Sequence, residues 1–317
     1  MSEIDISTEL CGIRLRNPTV LASGVLGLSG GLLVRVAKAG AGAVTAKSCG
    51  LEPRIGHRNP VAIDWGGGLI NAVGLSNPGV EAMRRDFLRV KEELVSLGVP
   101  LIASIFADTV EGFGQVAKEI SLAEPDLIEV NISCPNVEAE FEEMFASNPA
   151  SAAQVTRRVK ESTDIPVIVK LSPNVPDIAL IAEAVEAAGA DAISAINSLG
   201  PGMLIDIGSG FPILSNKVGG VSGPAIRPIA VRCVYDICSK VKIPVIGLGG
   251  VTTGRDLLEM IMAGATAVGI GSAVHYRGIE VFQKICQEAK ELMAEYGYRN
   301  LDEIRDKARD AAALSAD

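Results

Sequence analysis

Pro244-Val245-Ile246-Gly247-Leu248-Gly249-Gly250 is followed, after a helical run over 254–263, by Ala267-Val268-Gly269-Ile270-Gly271-Ser272. Both are short apolar runs that stop at glycines, the pattern of buried strands bounded by tight turns. Between them the helical run closes through Met262-Ala263-Gly264-Ala265-Thr266, with glycine at the C-cap. Strand, helix and strand in so short a span read as one βαβ unit. Its strands are continuous apolar runs, as expected where helices cover a parallel sheet.

The unit repeats along the chain. Strands are predicted to begin near Thr19, Ala43, Leu101, Leu127, Val167, Ala192, Pro244 and Ala267. Helices are predicted near 29–39, 79–97, 110–122, 149–162, 176–188, 224–241, 254–263 and 279–295. Asn77-Pro78 and Gly223-Pro224 mark two helix starts, and Ala187-Ala188-Gly189-Ala190-Asp191 closes another helix. Eight consecutive units without a sheet-reversing pattern point to an α/β fold, a (β/α)8 TIM barrel rather than a doubly wound sheet. Long insertions at 48–78, 132–148 and 197–223 follow strands two, four and six, hence on the C-terminal, catalytic face. One domain over 1–317 is expected, with 297–317 a terminal helix that frays.

Composition narrows the function. The 317 residues are 48% hydrophobic but only 4% aromatic, with 34 glycines, so the core is aliphatic. A formal charge of −9 and the lack of any Lys/Arg block oppose nucleic-acid binding. Met1-Ser2-Glu3-Ile4-Asp5 has neither the basic nor the apolar region of a signal peptide. No apolar stretch approaches the ~18 residues of a membrane span. Cysteines 11, 49, 134, 233, 238 and 286 are scattered, with no C-x-x-C pair. The expectation is a reduced, cytoplasmic protein with no metal of its own.

Chemistry gathers at the predicted strand ends. Glycine turns after strands seven and eight are where many barrels hold a phosphate, because backbone N–H groups can approach its oxygens. Neither turn fits G-x-G-x-x-G, which disfavours a Rossmann dinucleotide site. Lys47 closes strand two, and Lys170 lies among apolar neighbours in strand five, where a cation is costly unless it meets an anion or polar ligand. Asn71, Asn131, Asn136 and Asn197-Ser198 bring amides to the same face, donors and acceptors suited to a flat, nitrogen-rich ring. Asn131-Ile132-Ser133-Cys134-Pro135-Asn136 adds a thiol on a loop whose geometry Pro135 restricts. His57 and His275, the only histidines, have no evident orienting carboxylate, which weighs against general-base duty for either.

These motifs together resemble the class 1 dihydroorotate dehydrogenases. The resemblance runs from about Leu15 to Ala273. It includes Leu21-Ala22-Ser23-Gly24, Thr45-Ala46-Lys47-Ser48, Asn71-Ala72-Val73-Gly74-Leu75-Ser76-Asn77-Pro78-Gly79 and the Asn131–Asn136 motif. Val169-Lys170-Leu171-Ser172-Pro173-Asn174, Ile196-Asn197-Ser198, Gly219-Gly220-Val221-Ser222-Gly223 and both glycine turns complete it. It implies Cys134 as the active-site base. It implies Lys47, Asn71, Val73, Gly74, Leu75, Asn131, Asn136, Asn197 and Ser198 around dihydroorotate or orotate. For FMN it implies Ala22, Ser23, Lys47, Ser48, Asn131, Lys170, Ile196, Ser222 and Gly223, with Gly249, Gly250, Gly271 and Ser272 on the phosphate.

Leu171-Ser172-Pro173-Asn174-Val175 looks more like subclass 1B than 1A. That resemblance implies a homodimer of this chain within a heterotetramer, paired with a second subunit that carries FAD and a [2Fe–2S] cluster and passes electrons to NAD. One departure is the acidic run Val137-Glu138-Ala139-Glu140-Phe141-Glu142-Glu143-Met144, where the family has a glycine-rich stretch. It leaves the active-site loop and the electron acceptor, NAD or fumarate, open. Two other readings of the residues also stand: an FMN barrel reductase acting on another dihydropyrimidine, and a flavin-free phosphate-binding isomerase or lyase using lysine chemistry.

Overall fold

Residues 4–132 and 145–314 are described in a computed structural model. Eight parallel strands close into a barrel. They are β1 (Thr19–Leu21), β2 (Ala43–Thr45), β3 (Leu101–Ile105), β4 (Leu127–Asn131), β5 (Val167–Lys170), β6 (Ala192–Ala195), β7 (Val245–Leu248) and β8 (Ala267–Ile270). Each pairs with its neighbour in chain order, and β8 returns to β1. The predicted strand starts agree with these bounds to within a residue.

Helices alternate with the strands: α1 (Gly30–Lys38), α2 (Val80–Ser96), α3 (Val110–Ser121), α4 (Pro149–Lys160), α5 (Ile178–Ala187), α6 (Arg227–Cys238), α7 (Gly254–Met262) and α8 (Val281–Glu295). Their starts are written in the sequence. Ser29, Thr109, Asn148 and Asp177 each accept a hydrogen bond from a first-turn backbone N–H. Thr253 and Asp256 form a capping box on α7. The predicted 224–241 helix begins instead as a 3₁₀ turn, Pro224–Ile226. A short helix, Ala273–Arg277, precedes α8.

Strand alternation sorts the core into two shells. Val44, Ala103, Ile128, Val130, Val169, Ile193 and Val268 point outward into the layer shared with the helices. Val20, Ala43, Ile102, Leu127, Ile168, Ala192, Ile246 and Ala267 point inward and form an apolar floor. Leu10 and Leu15 join that floor from an N-terminal hairpin, Thr8–Leu10 paired with Ile13–Leu15, which stoppers the barrel from below. The hairpin turns through Cys11 and Gly12, both at positive φ.

The opposite end is built from the insertions. Ala62–Asp64 and Leu69–Asn71, from the segment after β2, pair with Gly219–Ser222 and Leu199–Gly202, from the segment after β6. The result is a four-stranded antiparallel sheet with its own small core of Ile70, Ala72 and Leu214. Parts of the insertions after β2 and β6 are thus a sheet seated over the barrel mouth. Most of the insertion after β4 lies outside the described residues.

The tail differs from the expected helix over 297–317. Among the described residues of this stretch, helix forms only at Lys307–Leu314. The turns before it bury Leu301 and Ile304, and Arg305 donates to the Ala265 carbonyl at 2.7 Å. Docking onto the barrel sets the conformation there, not helix propensity.

Candidate active site

Two residues above the apolar floor, the same inward positions of the barrel turn polar. Ser104 on β3, Glu129 on β4, Lys170 on β5 and Ser194 on β6 lie on adjacent strands and are all buried. Ser104 Oγ donates to Glu129 Oε1 at 3.1 Å, and Ser194 Oγ donates to Oε2 at 2.9 Å. Lys170 Nζ lies 3.7 Å from Glu129 Oε1, with the two residues only 5% and 3% exposed. The lysine that the sequence placed in a buried strand has its anion within the protein. Glu129 was missed, although its signal was present: in Leu127-Ile128-Glu129-Val130-Asn131 the period of two puts Glu129 and Asn131 on one face.

Above this layer lies a cavity of about 320 Å³, within the range of small-molecule sites. Strand ends and the turns after them supply its wall: Ala22 and Ser23 after β1, Lys47 and Ser48 after β2, Asn131 ending β4, and Lys170 ending β5. Ile196, Asn197 and Ser198 follow β6, Gly249 and Gly250 follow β7, and Gly271 and Ser272 follow β8. The inserted sheet and the turns beside it add Asn71, Val73, Gly74, Leu75, Ser222 and Gly223. One cavity therefore collects all the residues that the resemblance implies for substrate and FMN except Asn136, which lies outside the described residues, as does Cys134. Gly24, Leu248 and Gly269, which stand within the quoted motifs but carry no expected role, also line it, as do Val25, Ala62, Leu69, Ile226 and Val251, which no motif marks.

The polar wall is cross-linked. Ser23 Oγ donates to the Ala46 carbonyl at 2.9 Å and lies 3.3 Å from Ser48 Oγ. Ser48 in turn is 2.8 Å from Ser104 Oγ and accepts from Asn131 Nδ2 at 3.2 Å. Asn197 Nδ2 donates to Asn131 Oδ1 at 3.5 Å, and the Ser198 N–H donates to Asn197 Oδ1 at 2.8 Å. Such a network fixes the amides before any ligand arrives, which lowers the ordering cost of binding.

The glycine turns fit a phosphate ester. A Cβ on Gly271 would meet nothing nearer than Ala22 Cβ at 3.5 Å, so this backbone faces open space in the cavity. Gly250 has φ +73°, and a Cβ there would sit 2.7 Å from the Gly223 carbonyl oxygen. A side chain is excluded, because the turn after β7 is packed directly on Gly223 and Arg227. Behind them Asp256 Oδ2 accepts from the backbone N–H groups of Thr252 and Thr253, both at 2.9 Å, and Asp256 pairs with Arg227. The turn after β7 is therefore held from behind by a buried carboxylate.

One sequence reading changes. His275 does have a carboxylate partner: its Nε2 lies 3.1 Å from Asp64 Oδ2, on the inserted sheet. The Gly66 backbone N–H holds that carboxyl below its ordinary range, with His275 adding to the effect. The pair is separated by 211 residues in sequence and does not line the cavity, so it ties the inserted sheet to the barrel rim. The cysteines also separate. Burial pushes the thiols of Cys49 and Cys238 up to about 12, those of Cys11 and Cys286 to about 11, and that of Cys233 upward as well. All five are poor nucleophiles and bases at neutral pH, and none lines the cavity.

A closed barrel whose mouth gathers lysines, amides and paired glycine turns on the C-terminal face of its strands has the layout of an α/β-barrel enzyme. The chain belongs to the dihydroorotate dehydrogenase family, whose profile matches residues 5–293. It is 47% identical over 305 residues to the "Dihydroorotate dehydrogenase B (NAD(+)), catalytic subunit" of Methanothermobacter thermautotrophicus, covering 96% of this chain and 99% of that one. Proteins of the same name from Methanocaldococcus jannaschii and Pyrococcus abyssi are 46% and 44% identical. Those matches cover 91% and 94% of this chain and 93% and 97% of theirs. No helix among the described residues is long and apolar enough to cross a membrane.

Proposed function

We propose that this chain oxidises (S)-dihydroorotate to orotate in pyrimidine (UMP) biosynthesis, with FMN in the barrel mouth. The observation that carries the reading is the division of one cavity into two chemistries. Lys47 and the Asn71, Asn131 and Asn197 amides suit a planar, anionic, nitrogen-rich substrate, while the Gly249-Gly250 and Gly271-Ser272 turns suit a phosphate ester. FMN held there would supply the hydride acceptor for C6 of the ring. Cys134 takes the C5 proton, and the C5=C6 double bond forms between them. Lys47 neutralises the substrate carboxylate, and Asn136 joins the other amides around the ring. Ala22, Ser23, Ser48, Lys170, Ile196, Ser222 and Gly223 would hold the rest of the FMN molecule.

Lys47→Ala should raise KM for dihydroorotate roughly 10- to 100-fold, the worth of one charge-assisted hydrogen bond. Dihydrouracil, which has no carboxylate, should be a poor substrate for the unaltered protein and unaffected by the change. Steady-state kinetics with both substrates test this. Equal use of dihydrouracil would favour an enzyme of another dihydropyrimidine.

The relatives are named as NAD(+)-linked catalytic subunits, which supports a second subunit beside this chain; we read the assembly as a cytoplasmic heterotetramer built on a homodimer of this chain. The second subunit would carry FAD and a [2Fe–2S] cluster and pass the electrons to NAD. Purification from the native source should yield two polypeptides with FMN, FAD and iron. One polypeptide with FMN alone and robust fumarate-dependent turnover would overturn the NAD-linked assignment.

A further inference from the structure

The buried carboxylate beneath the cavity has no place in the reaction as proposed. We infer that Glu129 is a positioning residue for Lys170, and that by partly compensating its charge it sets the electron affinity of the bound flavin. The inference rests on the proposal that FMN occupies this cavity.

Lys170 lines the cavity; Glu129, Ser104 and Ser194 do not. Any influence of Glu129 on a ligand therefore passes through Lys170 or through the field. Both carboxylate oxygens are engaged, Oε1 by Ser104 and Lys170 and Oε2 by Ser194, so the group has a fixed position on the barrel axis side of β4. Strand register reinforces this. Lys170 is opposite Asn131 on one side and Ser194 on the other, while Glu129 is opposite Ser104. The lysine thus sits between Glu129 and the cavity, flanked in register by Asn131 on β4 and Ser194 on β6.

A charged pair at this depth costs desolvation that well-packed apolar residues would avoid, so stability alone gives little reason for it. Its effect on the cavity is electrostatic. The ammonium is the nearer charge and favours added negative charge on a ligand; the carboxylate, one layer deeper, subtracts from that field. At low effective dielectric the difference reaches a ligand with little screening.

The test is potentiometric titration of FMN-loaded protein at pH 7. Glu129→Gln keeps the side chain's shape and a serine partner but removes the negative charge. Its flavin midpoint potential should move positive, by an amount equivalent to a roughly tenfold or greater change in the reduction equilibrium, about 30 mV for two electrons. Glu129→Asp retains the charge but withdraws it by one methylene, and should shift the potential in the same direction by less. It also serves if the glutamine variant does not fold. A merely structural role would alter stability or FMN retention and leave the potential in place. Potentials of the folded variants that coincide with the unaltered protein's would overturn the inference. Unaltered protein that binds no FMN would overturn the functional proposal itself, and the inference with it.

Discussion

Cys134→Ala is expected to slow dihydroorotate oxidation roughly 10²- to 10⁴-fold while the protein still purifies yellow with FMN. That range is the usual contribution of a positioned proton acceptor. Cys134 is the base that the family resemblance implies, and none of the five described cysteines lines the cavity. A thiol with an ordinary value near 8.5 is mostly protonated at neutral pH, so the unaltered enzyme's rate should climb as pH rises toward that value. The serine variant should lose that limb, because a hydroxyl does not titrate there. Anaerobic flavin reduction by dihydroorotate, followed across pH, measures both effects. Full activity in the alanine variant would remove Cys134 from the mechanism.

Gly271→Asp is expected to give a folded, colourless protein. A Cβ at this position meets only Ala22 at ordinary contact distance, so the added side chain extends into the cavity rather than into the core. It would bring a carboxylate to the turn proposed to hold the phosphate, where like charges repel. FMN affinity should fall by at least roughly 10²-fold, from the repulsion together with the lost backbone contacts. Its thermal unfolding should match that of FMN-stripped unaltered protein. Gly250→Asp is the contrasting case, because its clash with the Gly223 carbonyl predicts lost stability as well. Flavin absorbance and calorimetry on both variants separate a binding defect from a folding defect. Retention of FMN by the Gly271 variant would place the phosphate elsewhere.

The barrel was legible because each strand is a local signal: a few apolar residues, then glycine or a polar end, then a capped helix. Val245–Leu248 and Ala267–Ile270 needed no distant information. The N-terminal hairpin was not legible. Its strands are three residues long, and Cys11-Gly12 lacks the Asn-Gly or Asp-Gly signature of a two-residue turn. The inserted sheet was missed for another reason. Gly219–Ser222 pairs with Leu69–Asn71 across about 150 residues of chain, and strands such as Leu199-Gly200-Pro201-Gly202 have almost no β propensity. Within the site, motif recognition found the residues at strand ends, which face the cavity directly. Glu129 sits one step lower, in a run that looked uniformly buried, and only the pairing of β4 with β3 and β5 shows what it meets.

The two halves of the inserted sheet come from segments far apart in the gene, yet each supplies the other's hydrogen-bonding edge. Neither half is a portable module. Grafting 62–71 into a homologous scaffold without 199–222 would leave strand edges open to aggregation and disrupt the roof of the pocket. Recombination among relatives should preserve function only when both segments descend from the same parent.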